Sequence, residues 1–203
     1  MKKDMTVTYI VDGALYINVT NRCTNNCDFC IRKNGDGAYG SDSLWLLREP
    51  TEEEILSSVF SHDLSTFSEI VFCGYGEPSI RIDTVISVAK KIKEKYPISV
   101  RINTNGHSSL YHGYNTAPQY QGAFDSVSIS LNTPSSERYN KICHPDFYDS
   151  HEAMLSFAAE VKKYVPTVIL SVVKDFLTAD ELTECQKIAD SLGVRLKVRD
   201  YIS

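Results

Sequence analysis

The chain has no basic excess: 21 lysines and arginines stand against 26 aspartates and glutamates, for a formal net charge of −5. A protein that coats nucleic acid or an anionic membrane needs a positively charged face, so both classes are disfavoured and only a local basic groove stays open. No apolar run approaches the roughly 18 to 20 residues of a membrane span. The opening Met1-Lys2-Lys3 is followed by Asp4, Thr6 and Thr8, which break up any signal-peptide core. These absences point to a cytoplasmic protein. Repeats, low-complexity tracts and linker-like stretches are also missing. With 203 residues, 42% hydrophobic and 23% charged, the composition suits one domain spanning 1–203.

What is present alternates. Short β-like segments at 14–20, 70–73, 98–103, 126–131, 167–173 and 194–199 are separated by helical ones. One helix opens on a capping box of Thr51 and Glu54, with Ile55, Leu56, Val59 and Phe60 as its apolar stripe. A second spans about 82–96 on Val85, Ile86, Ala89 and Ile92, and another is capped near Ser150. The last opens on Thr178 and Glu181 and stops at Gly193, a residue suited to a left-handed C-terminal cap. Residues 107–122 are ambiguous, with room for one short helix.

Such alternation predicts parallel strands with right-handed crossovers, either doubly wound or as an incomplete barrel. Ser126, Ser128 and Ser130 share a parity opposite to Val127, Ile129 and Leu131, and Arg101 and Asn103 oppose Val100 and Ile102. Strands sandwiched between two helix layers are apolar on both faces. The polar parity therefore favours a partial (βα)6 barrel whose concave side lines a wet site.

In parallel α/β folds the site lies at the C-terminal ends of the strands, and every unusual polar group falls there. Cys23, Cys27 and Cys30 follow the first strand, Gly74-Tyr75-Gly76-Glu77-Pro78 the second and Asn103-Thr104-Asn105-Gly106 ends the third. Ser130 and Asn132 end the fourth, Ser171 lies in the fifth, and Arg199 with Asp200 ends the sixth. Six cysteines in a chain without an export signal, three of them crowded into eight residues, read as metal ligands rather than disulfides. Three thiolates leave one iron of a cubane cluster open to a non-protein ligand. A closed zinc site needs a fourth protein ligand, which Cys73 or His144 could supply. By spacing alone zinc and cluster are close to even, and a non-catalytic zinc or iron–sulfur module for binding or electron transfer is the rival to an enzyme.

Residues 23–30, Cys-Thr-Asn-Asn-Cys-Asp-Phe-Cys, with an aromatic before the third cysteine, resemble the signature of the radical S-adenosylmethionine superfamily. The stretch Gly74-Tyr75-Gly76-Glu77-Pro78 is similar to that superfamily's glycine–glutamate motif, and the six βα steps match its partial barrel. More narrowly, residues 21–30 followed by Ile31-Arg32-Lys33 are similar to the TatD-associated group of that superfamily. The resemblance implies a [4Fe–4S] cluster on Cys23, Cys27 and Cys30, with S-adenosylmethionine on the fourth iron. It further implies that Gly74, Gly76 and Glu77 receive the cofactor's ammonium group and that Phe29 flanks its adenine. Asn103, Ser130 and Asn132 complete the implied cofactor contacts.

The implied reaction is one-electron cleavage of the cofactor to methionine and a 5′-deoxyadenosyl radical, which takes hydrogen from a substrate. A one-electron donor of flavodoxin or ferredoxin type would serve as partner, and a TatD-type hydrolase is a second. The substrate is left as a small molecule or a partner protein, as for a glycyl-radical activase, and no catalytic residue is assigned. The chain stops just past the sixth strand, so the rim loops or a partner are expected to grip the substrate.

The connection 31–50 is long for a βα loop and holds Trp45, Leu46, Leu47, Arg32, Lys33 and Arg48. It is expected to be an insertion that covers the cluster, or a structural lid that packs Trp45 on the first helix. Cys185 shares a helical stripe with Leu182, Ile188, Ala189 and Leu192 and reads as core. Cys73 reads as packing in its strand and Cys143 as part of a loop near the rim. His107, His112, His144 and His151 read as loop or surface residues, and His62 as the end of a helix.

Overall fold

A computed structural model describes residues 5–201, so the opening Met1-Lys2-Lys3 and Asp4 lie outside the described residues. One seven-stranded sheet runs in strict sequence order, β1-β2-β3-β4-β5-β6-β7. Strand β1 (Thr8–Val11) pairs antiparallel with β2 (Ala14–Ile17). From β2 onward, β3 (Ile70–Phe72), β4 (Val100–Thr104), β5 (Ser126–Ser130), β6 (Thr167–Val173) and β7 (Arg195–Arg199) add on parallel to one another.

That order decides between the two expected architectures. Right-handed crossovers that always step to the next strand on the same side put every helix on one face. A doubly wound sheet would reverse direction at a switch point, and none occurs. The six parallel strands form the partial (βα)6 barrel.

Register separates the two faces. Leu15, Ile70 and Val100 lie side by side, as do Ile17, Phe72, Ile102 and Val127, and Thr104, Ile129, Leu170 and Leu196. All but Thr104 and Leu196 belong to the main apolar core, and Leu196 packs against it. They pack with Ile55 and Val59 of α1 (Glu52–Phe60), Val85, Val88 and Ile92 of α2 (Ile82–Lys95), and Cys185 and Ala189 of α6 (Ala179–Leu192). Each fully buried Val or Ile contributes roughly 1.5–3 kcal/mol, so this face fixes the helices. The other face carries Tyr16, Arg101, Asn103, Ser128, Ser130, Ser171, Lys197 and Arg199 in neighbouring register.

Both capping boxes form as their sequences require, Thr51 with Glu54 and Thr178 with Glu181, and Gly193 caps α6 in the left-handed region. Two elements, a first strand and a fourth helix, differ from expectation, and the ambiguous stretch resolves into one short helix and a turn. Strand β1 was not anticipated, although Asp12 and Gly13 (φ 47° and 77°) make the positive-φ pair that closes a two-residue hairpin. Residues 107–122 form a five-residue helix α3 (Ser108–His112) and a short 3₁₀ turn (Ala117–Tyr120). An extra helix α4 (Ser136–Cys143), capped by the Ser135 side chain, precedes α5 (Ser150–Val161). Cys143 is therefore the buried last residue of a helix, not a loop residue.

Candidate active site

The strand ends surround a cavity of about 280 Å³. Cys23, Cys27 and Cys30 line it, with Gly74 to Pro78, Asn103 to Asn105, Ser130, Asn132, Tyr39 and Arg199. The three cysteines are half-buried free thiols. Their loop is held by backbone pairing with the C-terminal end of α4 and the chain just after it: Asn26 N–H donates to Cys143 O and Asp28 N–H to Ile142 O, both at 2.9 Å, and Asp146 N–H to Thr24 O at 2.9 Å. Burial pushes the Cys23 thiol up to about 12, helped by the negative charge of Glu77. The Cys27 thiol is raised first by its hydrogen bond with Cys143 and then by burial, and that of Cys30 by burial.

The glycine–glutamate turn is built against the segment that leads from β2 to the cysteines. Glu77 N–H donates to Arg22 O at 2.7 Å. A Cβ on Gly76 would lie 2.4 Å from Thr20 O and 2.5 Å from Arg22 O, and one on Gly74 would lie 2.1 Å from Asn18 Oδ1. Both glycines thus let two protein segments touch, whatever else they admit.

Glu77 is buried, and its carboxylate is already engaged. Oε1 accepts from Ser79 N–H at 3.0 Å and from the Thr104 hydroxyl at 2.8 Å, and Oε2 accepts from Asn105 N–H at 2.7 Å. Burial raises its pKa, and these donors oppose the rise. The side chain read as a cofactor contact thus ties the turn after β3 to the tip of β4.

From that tip a buried polar chain returns to the cysteine loop. Asn105 Nδ2 donates to Thr24 Oγ1 at 2.8 Å, Thr24 bonds His107 Nδ1 at 3.1 Å, and His107 Nε2 meets Tyr139 OH at 3.2 Å. Asn25 Nδ2 donates to the same Tyr139 oxygen at 2.9 Å. Burial holds His107 down to about 4, so it is neutral at pH 7. Composition could not reveal this role, because its ring partners, Thr24 and Tyr139, come from two distant stretches. His107 and His151 are both buried, contrary to the surface reading, the latter bonding Thr133 O. His112 bonds Ser79 O, while His144 pairs with Asp28.

The remaining expected residues divide. Phe29 and Ser130 face the cavity, with the Phe29 ring 4.9 Å from that of Phe176. Asn103 lines it too, its Oδ1 accepting from Arg101 Nη1 at 2.6 Å. Asn132, at φ 61°, turns its Nδ2 onto Cys143 Sγ at 3.3 Å, a largely structural position. Cys73 sits on the cavity wall, and Cys185 is in the core as read.

In the 31–50 connection Trp45 packs on the glycine turn, its ring meeting that of Tyr75 edge-on at 5.1 Å, while Arg48 pairs with Glu54 of the first helix. Asn18 Nδ2 donates to Leu44 O at 2.7 Å and Asn21 Nδ2 to Leu46 O at 2.7 Å, strapping it to the path into the cysteines.

The donor set suits a cluster better than one ion. Among the described residues no three His, Cys, Asp or Glu side chains converge as ligands of a single metal ion, as tetrahedral zinc requires. The three thiols spread over one loop match a cubane with an open iron. Fold and site together define an α/β partial-barrel protein with a thiolate site at its C-terminal rim.

The family model of the Radical SAM superfamily matches residues 17–187. GTP 3′,8-cyclase of Lactiplantibacillus plantarum is 30% identical over 127 residues, 62% of this chain and 35% of that protein. Molybdenum cofactor biosynthesis protein 1 of Drosophila melanogaster is 27% identical over 188 residues, 93% of this chain and 31% of its own length. Among solved structures, Streptococcus suis SuiB bound to precursor peptide SuiA aligns with a TM-score of 0.68 at 15% identity, over 94% of this chain and 39% of that one. HydG, a hydrogenase maturase, aligns at 0.66 and 18% identity, over 94% of this chain and 43% of that one. The chain belongs to the radical SAM superfamily, whose members use a [4Fe–4S] cluster and S-adenosylmethionine. It spans about a third of the length of these two curated relatives.

Proposed function

We propose that this chain is a radical S-adenosylmethionine enzyme in which Cys23, Cys27 and Cys30 hold the cluster. The observation that carries the reading is the direct bond between the two motifs. The Glu77 amide donates to Arg22 O, one residue before Cys23, so the cofactor turn is tied directly to the entry of the cluster loop. When bound, the cluster supplies the electron that cleaves the cofactor to methionine and a 5′-deoxyadenosyl radical.

The chain's own contribution is positioning and exclusion of water. The backbone of Gly74 to Glu77 faces the cavity and offers acceptors for the cofactor's ammonium group, while Phe29 and Ser130 bound its adenosyl end. Asn103 is one of the polar contacts, and Asn132 contributes by holding the wall behind them. Residues 1–203 act as one core domain, with 31–50 as an insertion whose Ile31 and Tyr39 close one side of the cavity.

Members of the family require an electron donor, and here we assign one of flavodoxin or ferredoxin type. A TatD-type hydrolase is the second partner to test, and the setting is cytoplasmic; among the described residues no helix is long and apolar enough to cross a membrane. The substrate is a small molecule or a docked protein. The test is anaerobic reconstitution with iron and sulfide, followed by reduction with dithionite in the presence of S-adenosylmethionine. The reading requires 5′-deoxyadenosine from the wild type and none from Cys27→Ser. Cleavage that survives in Cys27→Ser would show that the ligands are wrongly assigned.

A further inference from the structure

The concave face holds more positive charge than its own carboxylates balance. Strand β7 turns Arg195, Lys197 and Arg199 to the face where β6 presents Ile169, Ser171 and Val173, and β4 adds Arg101. Among the described residues only Arg101 is matched, by a two-pronged pair with Glu69 at 2.7 and 3.0 Å. Asp200, next in sequence to Arg199, is taken by Lys174. Lys197 has its pKa lowered by burial and by the charges of Arg199 and Arg101, as expected where cations crowd.

Arg199 is the member that enters the cavity. Its Nη2 reaches across β6 to donate to Ser128 Oγ on β5 at 3.0 Å, which lays the guanidinium over the middle of the concave face. Its charge bears on Tyr16, Tyr39 and Cys73, opposing part of the rise that burial imposes on each. Yet among the described residues Nε is enclosed without a hydrogen-bond partner, and no carboxylate pairs with Arg199. A guanidinium cannot shed its charge, and holding one half-buried and unmatched is unfavourable unless a ligand completes it. Its planar donors suit the two oxygens of a carboxylate or phosphate.

We propose that Arg199 is a substrate-binding residue that grips an oxyanion, so that the substrate carries a carboxylate or a phosphate seated over β6 beside Ser128. This rests on the reading of the cavity as the active site. It also makes the overall acidity of the chain misleading at the one place where the substrate sits.

The test is calorimetric titration of the cluster-loaded, S-adenosylmethionine-saturated protein with inorganic phosphate and, separately, with succinate, at constant ionic strength. At least one should saturate the wild type, and the one that does names the oxyanion. Arg199→Gln should weaken it by about tenfold or more, the loss of a charge-assisted pair. Arg199→Lys, which keeps the charge and loses the fork, should fall between. The S-adenosylmethionine dissociation constant of Arg199→Gln, with a wild-type thermal midpoint as the folding control, should stay within about twofold of wild type.

The assignment is overturned if neither anion saturates the wild type, or if Arg199→Gln binds the anion unchanged. It is also overturned if that variant loses about tenfold in cofactor affinity, which would put the guanidinium on the cofactor's own carboxylate. Anion binding by a wild type that forms no 5′-deoxyadenosine would keep this assignment and remove the radical reading; the reverse pattern removes this assignment alone.

Discussion

Replacing Glu77 with Gln separates a structural carboxylate from one that only waits for a ligand. Both oxygens face a backbone N–H, Ser79 at 3.0 Å on Oε1 and Asn105 at 2.7 Å on Oε2. Whichever way the new amide is turned, its NH₂ meets a donor that cannot reverse. One hydrogen bond to a charged acceptor is lost, about 1.5–3 kcal/mol, and one buried N–H is left unsatisfied, about 1–3 kcal/mol. Removing a carboxylate whose pKa burial already raises returns part of this, leaving a net destabilisation of about 2–4 kcal/mol. Against a typical total of about 5–15 kcal/mol that is a large fraction. Urea denaturation of the cluster-free protein, followed by far-ultraviolet circular dichroism, should show the midpoint fall with an unchanged slope. The loss should appear with no cofactor present. A cluster-free Glu77→Gln within about 0.5 kcal/mol of wild type would refute the reasoning and return Glu77 to a purely ligand-facing role.

Gly76→Ala places a Cβ 2.4 Å from Thr20 O and 2.5 Å from Arg22 O; it should destabilise by about 1–3 kcal/mol and reduce the iron retained after reconstitution, measured by metal analysis. For His107, burial holds the folded pKa at about 4 against 6.5, so its neutral form contributes stability that is complete above pH 6.5 and is lost as pH falls towards 4. By pH 5 the wild type should have lost about 2 kcal/mol more than His107→Gln does, and superimposable stability–pH curves would contradict this. Cys143→Ala should keep its iron while Cys27→Ser loses it, since Cys143 Sγ is engaged with Asn132 and Cys27 and serves the wall rather than the cluster.

What could be read from sequence was local or periodic. The capping boxes at Thr51 and Thr178 work within four residues, so they formed as read. The serine parity at 126, 128 and 130 identified the concave face because period-two alternation survives any tertiary arrangement. Helix α4 was missed because eight residues with Tyr139, Ile142 and Cys143 buried give too short a stripe to stand out. Strand β1 was legible in principle, since Asp12-Gly13 between apolar residues is a hairpin signal. The burial of His107 was not legible, because Thr24 and Tyr139 are 83 and 32 residues away. Likewise the motif pointed to Glu77 and the glycines but not to their task, which depends on Asn18, Thr20 and Arg22 lying against the turn.

Electron paramagnetic resonance of the reconstituted, dithionite-reduced protein tests the central claim most directly. A cluster with one iron open to the cofactor predicts a [4Fe–4S]⁺ signal that shifts when S-adenosylmethionine is added and disappears in Cys23→Ser, Cys27→Ser or Cys30→Ser. A colourless, zinc-loaded protein, or a cluster signal that the cofactor leaves unmoved, would contradict the account.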